Sequence, residues 1–186
     1  MTTLYVDNIA PNLQSKISAP SLNVTSSMMP AGSVIQTVQA ITDQQQSFTT
    51  TSYTDLTNLQ PTITPRSTSS KILLSLTLCY GEGSDAFPAF KILANGTIVA
   101  QGLANQQRVT FTNTTTENSV RDQYRQTVVN YQLLHEPNTT SAVTYKVQCS
   151  PMRTTNRTVY INRHEDMSDA NRGSSVSTFI LQEIAG

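Results

Sequence analysis

Tryptophan is absent from this chain of 186 residues, and Asp, Glu, Lys and Arg together supply only 13% of it. An average soluble domain carries about 25% charged residues, so this surface is polar but weakly charged. The 12 basic and 12 acidic residues cancel to a net charge of zero at pH 7. This balance excludes the net positive field that drives binding to nucleic acids or anionic membranes, and it favours association between proteins. A secreted or adhesive domain with a threonine-rich surface fits the composition equally well.

Cysteine and long apolar runs are scarce too. The two cysteines, Cys79 and Cys149, are too few for a disulfide framework or a zinc site. Both lie in strand-like runs, which predicts buried free thiols in preference to a cross-strand disulfide. No apolar run approaches the roughly 20 residues of a membrane-spanning helix, so we expect no membrane insertion. The first residues, Met1–Tyr5, lack the basic and apolar regions of a signal peptide.

With only two histidines, the chain offers few residues for an active site. His135 lies at a strand end, while His164 opens a loop that also holds Glu165, Asp166 and Asp169. Imidazole and carboxylate groups bind metal ions, but neighbouring residues of an extended chain point in opposite directions. The spacing matches no calcium or zinc motif, so we predict a solvated polar loop without a metal ion.

Catalytic motifs are missing from the sequence as well. It contains no G-x-S-x-G nucleophile motif and no glycine-rich loop that opens a helix. Paired carboxylates of the glycosidase type meet only in the folded chain, and the sequence leaves them open. We therefore predict a protein that is not an enzyme, with no catalytic residues and no cofactor.

The strongest pattern in the chain is the run of strand-forming residues that ends at Tyr80. Ile72, Leu74, Leu76 and Leu78 recur every second residue and so line one face of an extended strand. The residues between them are mostly small or weakly polar. This alternation predicts the central strand of a β-sandwich, with one face in the core.

Further strand-like runs are spaced as in a sandwich or jelly roll, and no segment shows helical periodicity. Asn95-Gly96 predicts a two-residue type I′ hairpin, because both residues accept a positive φ. The other expected strands cover residues 34–41, 48–56, 60–64, 89–94, 97–101, one near 109–111, 124–134, 143–149, 158–162 and 176–184. The predicted fold is all-β, an antiparallel β-sandwich or jelly-roll domain over residues 30–186.

An extended arm, residues 1–29, precedes this domain. It contains small apolar clusters separated by Pro11 and Pro20, with too little apolar area for a core of its own. Such a segment is either a flexible leader or becomes ordered against a partner. The residues predicted to contact that partner are Leu4, Tyr5, Val6, Ile9, Leu13 and Ile17.

Four segments of the domain, taken together in this order, resemble one family of proteins. The four segments are Pro30–Gln36, Thr62–Leu73, Pro137–Val147 and Ser177–Ala185. They are similar to the tail-fibre-like virion structural proteins of tailed phages, which are common in phages of cyanobacteria and marine bacteria. The leader around Val6–Ile9 also resembles the start of such proteins.

The resemblance implies a non-enzymatic domain of the phage particle that forms a homotrimer and attaches to other virion proteins through its N-terminal arm. This chain departs from the family because no long shaft separates the arm from the domain. Two placements follow, a short fibre on the tail or baseplate and a trimeric cement protein that decorates the capsid.

A host-receptor module that binds a surface glycan is the alternative from another class. Its contacts would come from the loops Gly81–Asp85 and Arg163–Gly173. The candidate receptor-facing residues of these regions are Phe87, His164, Asp166 and Asp169.

Overall fold

Two antiparallel β-sheets face each other across one hydrophobic core in the computed structural model of this protein. The structure describes residues 29–83, 86–102, 113–114, 125–152, 158–168 and 173–186. Within these ranges the chain contains no helix, and none therefore that could cross a membrane. The predicted all-β sandwich is confirmed, whereas residues 1–28 of the arm lie outside the described ranges.

Twelve strands are described, and most of them correspond to a predicted run. They are β1 (Val34–Thr42), β2 (Gln46–Phe48), β3 (Thr54–Asp55), β4 (Thr62–Ile63), β5 (Lys71–Glu82), β6 (Pro88–Ala94), β7 (Thr97–Ala100), β8 (Asn113–Thr114), β9 (Gln126–His135), β10 (Val143–Pro151), β11 (Val159–Ile161) and β12 (Ser177–Ile184). The strand predicted near residues 109–111 falls outside the described ranges.

The first sheet is built around β5. One edge of β5 pairs with β12 and then with β11, and the opposite edge pairs with β9 along ten residues. Strands β1 and β2 lie outside β12 and β11 respectively. The second sheet has the order β3-β10-β6-β7, with β4 also paired to β10 and β8 to β6.

The alternation that predicted a central strand places one face of β5 in the core. Ile72, Leu74, Leu76, Leu78 and Tyr80 are all buried. Each fully buried side chain of this size contributes about 1.5–3 kcal/mol before ordering costs. The prediction of a central core strand is confirmed.

The second sheet meets this face with alternating residues of β10 and with β6. Tyr145, Val147 and Cys149 are fully buried, as the pattern in the sequence predicts. The rings of Tyr80 and Phe90, one from each sheet, have centroids 5.5 Å apart and planes tilted by 57°. Such a tilted aromatic pair is a favourable geometry, and it joins the two layers at the centre of the core.

The hairpin between β6 and β7 has the predicted turn, since φ is 47° at Asn95 and 88° at Gly96. The single strand predicted over residues 48–56 is wrong. Its first part belongs to β2 in the first sheet, and its last part belongs to β3 in the second. Phe48 and Leu56 are both buried, but the polar residues between them carry the chain from one sheet to the other.

Both cysteines are free and buried, as predicted. Burial raises the pKa of the Cys149 thiol, and the Cys79 Sγ donates a hydrogen bond to the carbonyl of Val176. Because both thiols are buried away from solvent, we expect neither to react with an alkylating reagent in the folded protein. Mass spectrometry should find both alkylated once denaturant is added. Rapid labelling of either cysteine in native buffer would contradict this expectation.

Candidate functional site

The two loops predicted to face a receptor meet at the end of β5. A Cβ atom on Gly81 would lie 2.5 Å from the carbonyl oxygen of Arg163, which leaves no room for a side chain. A Cβ on Gly83 would lie 3.1 Å from Oε1 of Glu165. The glycines of the first loop thus let the second loop approach the backbone of β5 closely.

The loop after β11 is less solvated than its composition predicts. His164, Glu165 and Asp166 are half-buried, and the His164 Nδ1 and Glu165 Oε2 atoms are buried without a hydrogen-bond partner. The Asp166 Oδ1 accepts a hydrogen bond of 2.8 Å from the backbone N–H of Ser168. Asp169 lies outside the described residues. In the part of the chain that the structure describes, no three His, Cys, Asp or Glu side chains are placed to hold a metal ion.

Phe87, the aromatic candidate for receptor contact, is half-buried immediately before β6. Its φ is 37°, which is unfavourable for a residue with a bulky side chain. Its carbonyl oxygen accepts a hydrogen bond of 3.1 Å from the backbone N–H of Met152. The backbone of Phe87 is therefore tied to the end of β10, whereas the His164 loop contacts the end of β5.

His135 and Tyr145 form a polar contact between the sheets that the sequence did not reveal. The His135 Nδ1 and the Tyr145 hydroxyl are 2.8 Å apart, and the two rings are nearly perpendicular at a centroid distance of 5.7 Å. Burial lowers the pKa of His135, although the nearby charge of Glu136 acts in the opposite direction. A cleft of about 190 Å³ adjoins the histidine, and Asn95 and Thr139 also line it.

We expect the stability of the fold to decrease as the pH falls through the titration range of His135. In an unfolded chain this imidazole titrates near pH 6.5, and its pKa in the folded protein is lower. The unfolded state therefore binds the proton more readily, so the stabilising effect is complete above about pH 6.5 and is lost below it. Urea unfolding at a series of pH values measures the effect.

His135→Gln should flatten this pH dependence, and His164→Gln serves as the control because it removes the other histidine. Carboxylates near the site titrate at lower pH, since hydrogen bonding to Lys71 lowers the pKa of Glu136. A wild-type protein that becomes more stable between about pH 7 and pH 5.5 would contradict the expectation.

Glu183 is fully buried on the core side of β12. Its Oε2 accepts a hydrogen bond of 2.5 Å from the side-chain amide of Gln36, and its Oε1 accepts one of 2.6 Å from the backbone N–H of Arg66. The same Gln36 amide donates to the carbonyl of Thr64 at 2.7 Å. This carboxylate thus joins β1, β12 and the loop before β5, and its hydrogen bonds offset the cost of its burial.

Asn162 forms a second buried polar junction at the opposite end of the first sheet. Its Nδ2 donates to the carbonyls of Thr42 and Gln44 at 2.9 and 3.1 Å, and its Oδ1 accepts from the Ser177 hydroxyl at 2.6 Å. Ser177 Oγ in turn accepts from the backbone N–H of Cys79. The side chain satisfies polar groups at the ends of β1 and β12, which explains why an asparagine is fully buried here.

The outer face of the first sheet carries no charged side chain across three rows of four strands. The register aligns Ile41, Thr178, Thr77 and Asn130 in the first row, Gln39, Ile180, Ser75 and Gln132 in the second, and Thr37, Gln182, Leu73 and Leu134 in the third. Val128 extends β9 beyond the first row. We call these thirteen residues the uncharged face.

The outer face of the second sheet, in contrast, carries charged side chains. Lys146 pairs with Asp55 at 2.6 Å, and Gln148 donates to the same carboxylate at 2.7 Å. Hydrogen bonding to Lys146 lowers the pKa of Asp55, while partial burial acts in the other direction. The Nζ of Lys91 lies 3.6 Å from the centre of the Tyr53 ring. The two sides of the sandwich thus differ sharply in charge.

No protein-family model and no curated protein matches the chain. A crystal structure of dimeric latent PorU from Porphyromonas gingivalis is similar over 83% of this chain and 13% of that chain, with 10% sequence identity and a TM-score of 0.36. The chain thus spans a small part of that protein's length, and a similarity this weak carries no argument about function.

Proposed function

We propose that this chain is a non-enzymatic structural protein of a phage particle. Its sandwich domain forms a homotrimer on the particle, and residues 1–29 attach this homotrimer to other virion proteins. The four segments that resemble tail-fibre-like virion proteins support this proposal. In the fold they contact one another, although they are far apart in the sequence.

The contacts among the four segments are specific. The first, second and fourth meet at the carboxylate of Glu183, which binds Gln36 and Arg66. The third segment joins the second through the pairing of β4 with β10, where the Thr62 and Thr144 hydroxyls are 2.7 Å apart. The segments that show the resemblance therefore form one connected part of the sandwich. This observation is the main support for the proposal.

Deleting residues 2–27 and purifying the resulting particles tests the proposal. We expect the truncated protein to keep the thermal unfolding of the whole chain and to be missing from purified particles. Normal incorporation of the truncated protein would contradict attachment through the arm. Density for the sandwich on imaged particles, either at the tail or on the capsid, distinguishes a short fibre from a cement protein.

A glycan-binding receptor module is the second candidate, because the two loops predicted for it meet at the end of β5. There the guanidinium of Arg163 lies 4.2 Å from the centre of the Tyr160 ring and donates to the Ser47 hydroxyl at 3.1 Å. A glycan array with the whole chain tests this function. Specific binding that Arg163→Ala abolishes would favour the receptor role, and no binding would favour a structural one.

A further inference from the structure

The uncharged face is an open surface that carries apolar side chains. Ile41, Val128 and Leu134 are 61%, 50% and 48% exposed, and all three belong to it. Leu73 and Ile180 lie between them and are half-buried by their neighbours on the sheet. Exposed apolar groups on a face without charges are typical of a surface that binds another protein.

We propose that the uncharged face binds a second copy of this chain. When identical faces meet at a symmetry axis, the residues near the axis approach their own copies, so charged residues there would place like charges together. No pair of residues on this face creates such repulsion. The inference deepens the homotrimer in the proposed function, by naming the surface that forms it, and it is argued from the face itself.

The polar side chains of the face can also form hydrogen bonds with the identical side chains of a second copy. Gln39, Asn130, Gln132 and Gln182 each carry both hydrogen-bond donors and an acceptor, and hydroxyl groups do as well. A side chain of this type can pair with its own copy, which a carboxylate or an ammonium group cannot do. The ion-paired outer face of the second sheet has no such self-complementarity.

The size of the face is adequate for a specific contact. The face spans five residues on each of β1, β12 and β5 and seven on β9. At about 3.4 Å per residue and about 4.8 Å between strands, it presents on the order of 350 Å² in projection. The accessible area of a surface with protruding side chains exceeds its projection. The face therefore supplies a large part of the roughly 800 Å² per partner that a standard protein interface buries. All four strands continue beyond the three rows and extend the surface further.

Lys71 and Glu136 mark the rim of the face. Their side chains are partly exposed and form an ion pair of 2.7 Å at the end where β5 begins and β9 ends. An uncharged centre with charges at its margin is the usual arrangement of a protein interface.

The test is the mass of the whole chain in solution, measured by light scattering and sedimentation, for the wild type and for Asn130→Asp with Gln132→Glu. These substitutions keep the side-chain shapes, and an aspartate still accepts the hydrogen bond that the Thr77 hydroxyl donates at 3.0 Å. We expect an assembled wild type and a variant whose dissociation constant rises at least about tenfold. The matched control is Asn58→Asp with Gln101→Glu, which adds two equal charges at exposed residues outside the face and should assemble normally.

A monomeric wild type would overturn the inference, and so would a double variant that assembles as well as the wild type. Dissociation of both variant and control would also overturn it, because net charge rather than this face would then decide assembly. Val128→Lys, at an exposed position of β9, repeats the test if the double variant does not fold. These results are separate from incorporation into particles, which tests the arm, so either proposal can fail without the other.

Discussion

Glu183→Ala should destabilise the protein by about 3–5 kcal/mol, since it removes a fully buried carboxylate that two donors need. The Gln36 amide loses one of its acceptors, and the backbone N–H of Arg66 loses its partner. A cavity of nearly the size of the lost side chain adds to the cost. Chemical denaturation at one fixed protein concentration gives the free energy of unfolding.

Two further variants show whether the hydrogen bonds or the volume matter more. Glu183→Gln keeps the volume but places an amide NH₂ against one of the donors, so we expect a loss of about 1–3 kcal/mol. Thr68→Ala changes an exposed residue of the same loop as Arg66, outside the uncharged face, and should cost within about 0.5 kcal/mol. Hydrogen exchange at the Arg66 amide should accelerate in Glu183→Ala, which leaves this N–H without an acceptor. A stability of Glu183→Ala within about 1 kcal/mol of the wild type would contradict this account.

Elements with one buried face were predictable because burial imposes a period of two on the sequence. Strands β5 and β10 show this alternation directly, and Asn95-Gly96 specifies its own turn. The burial of Glu183 has the same signal, because it continues the alternation of Phe179 and Leu181 along β12. A glutamate is rarely found on a core face, so the alternation alone is a weak signal of burial at this position.

Some features depend on strand register or on where the chain passes from one sheet to the other. The local sequence carries no signal for them. The uncharged face combines residues from β1, β12, β5 and β9, and only the pairing of these strands shows that its rows are continuous. The contact of His135 with Tyr145 joins strands of different sheets. The passage from β2 to β3 was missed because a threonine-rich segment resembles an edge strand whether or not it pairs.

Asn162→Ala should lower the free energy of unfolding by about 3–5 kcal/mol, for two separable reasons. The substitution leaves the carbonyls of Thr42 and Gln44 and the hydroxyl of Ser177 without their partner in a buried site. It also places an alanine at a φ of 59°, where a side chain other than Asn or Gly is strained by about 1 kcal/mol. Denaturation by urea measures the sum.

A set of variants separates the two contributions. Asn162→Gly removes only the side-chain hydrogen bonds, so it should be more stable than Asn162→Ala by about 1 kcal/mol. Asn162→Asp presents a carboxylate oxygen to two carbonyls and should be no better than alanine. Asn138 has a similar φ of 51° but is exposed. Asn138→Ala should therefore show the backbone cost together with the loss of one exposed hydrogen bond, to the carbonyl of Glu136. Equal losses at the two asparagines would mean that the buried hydrogen bonds of Asn162 contribute nothing, and the polar junction would then not hold β1, β11 and β12 together.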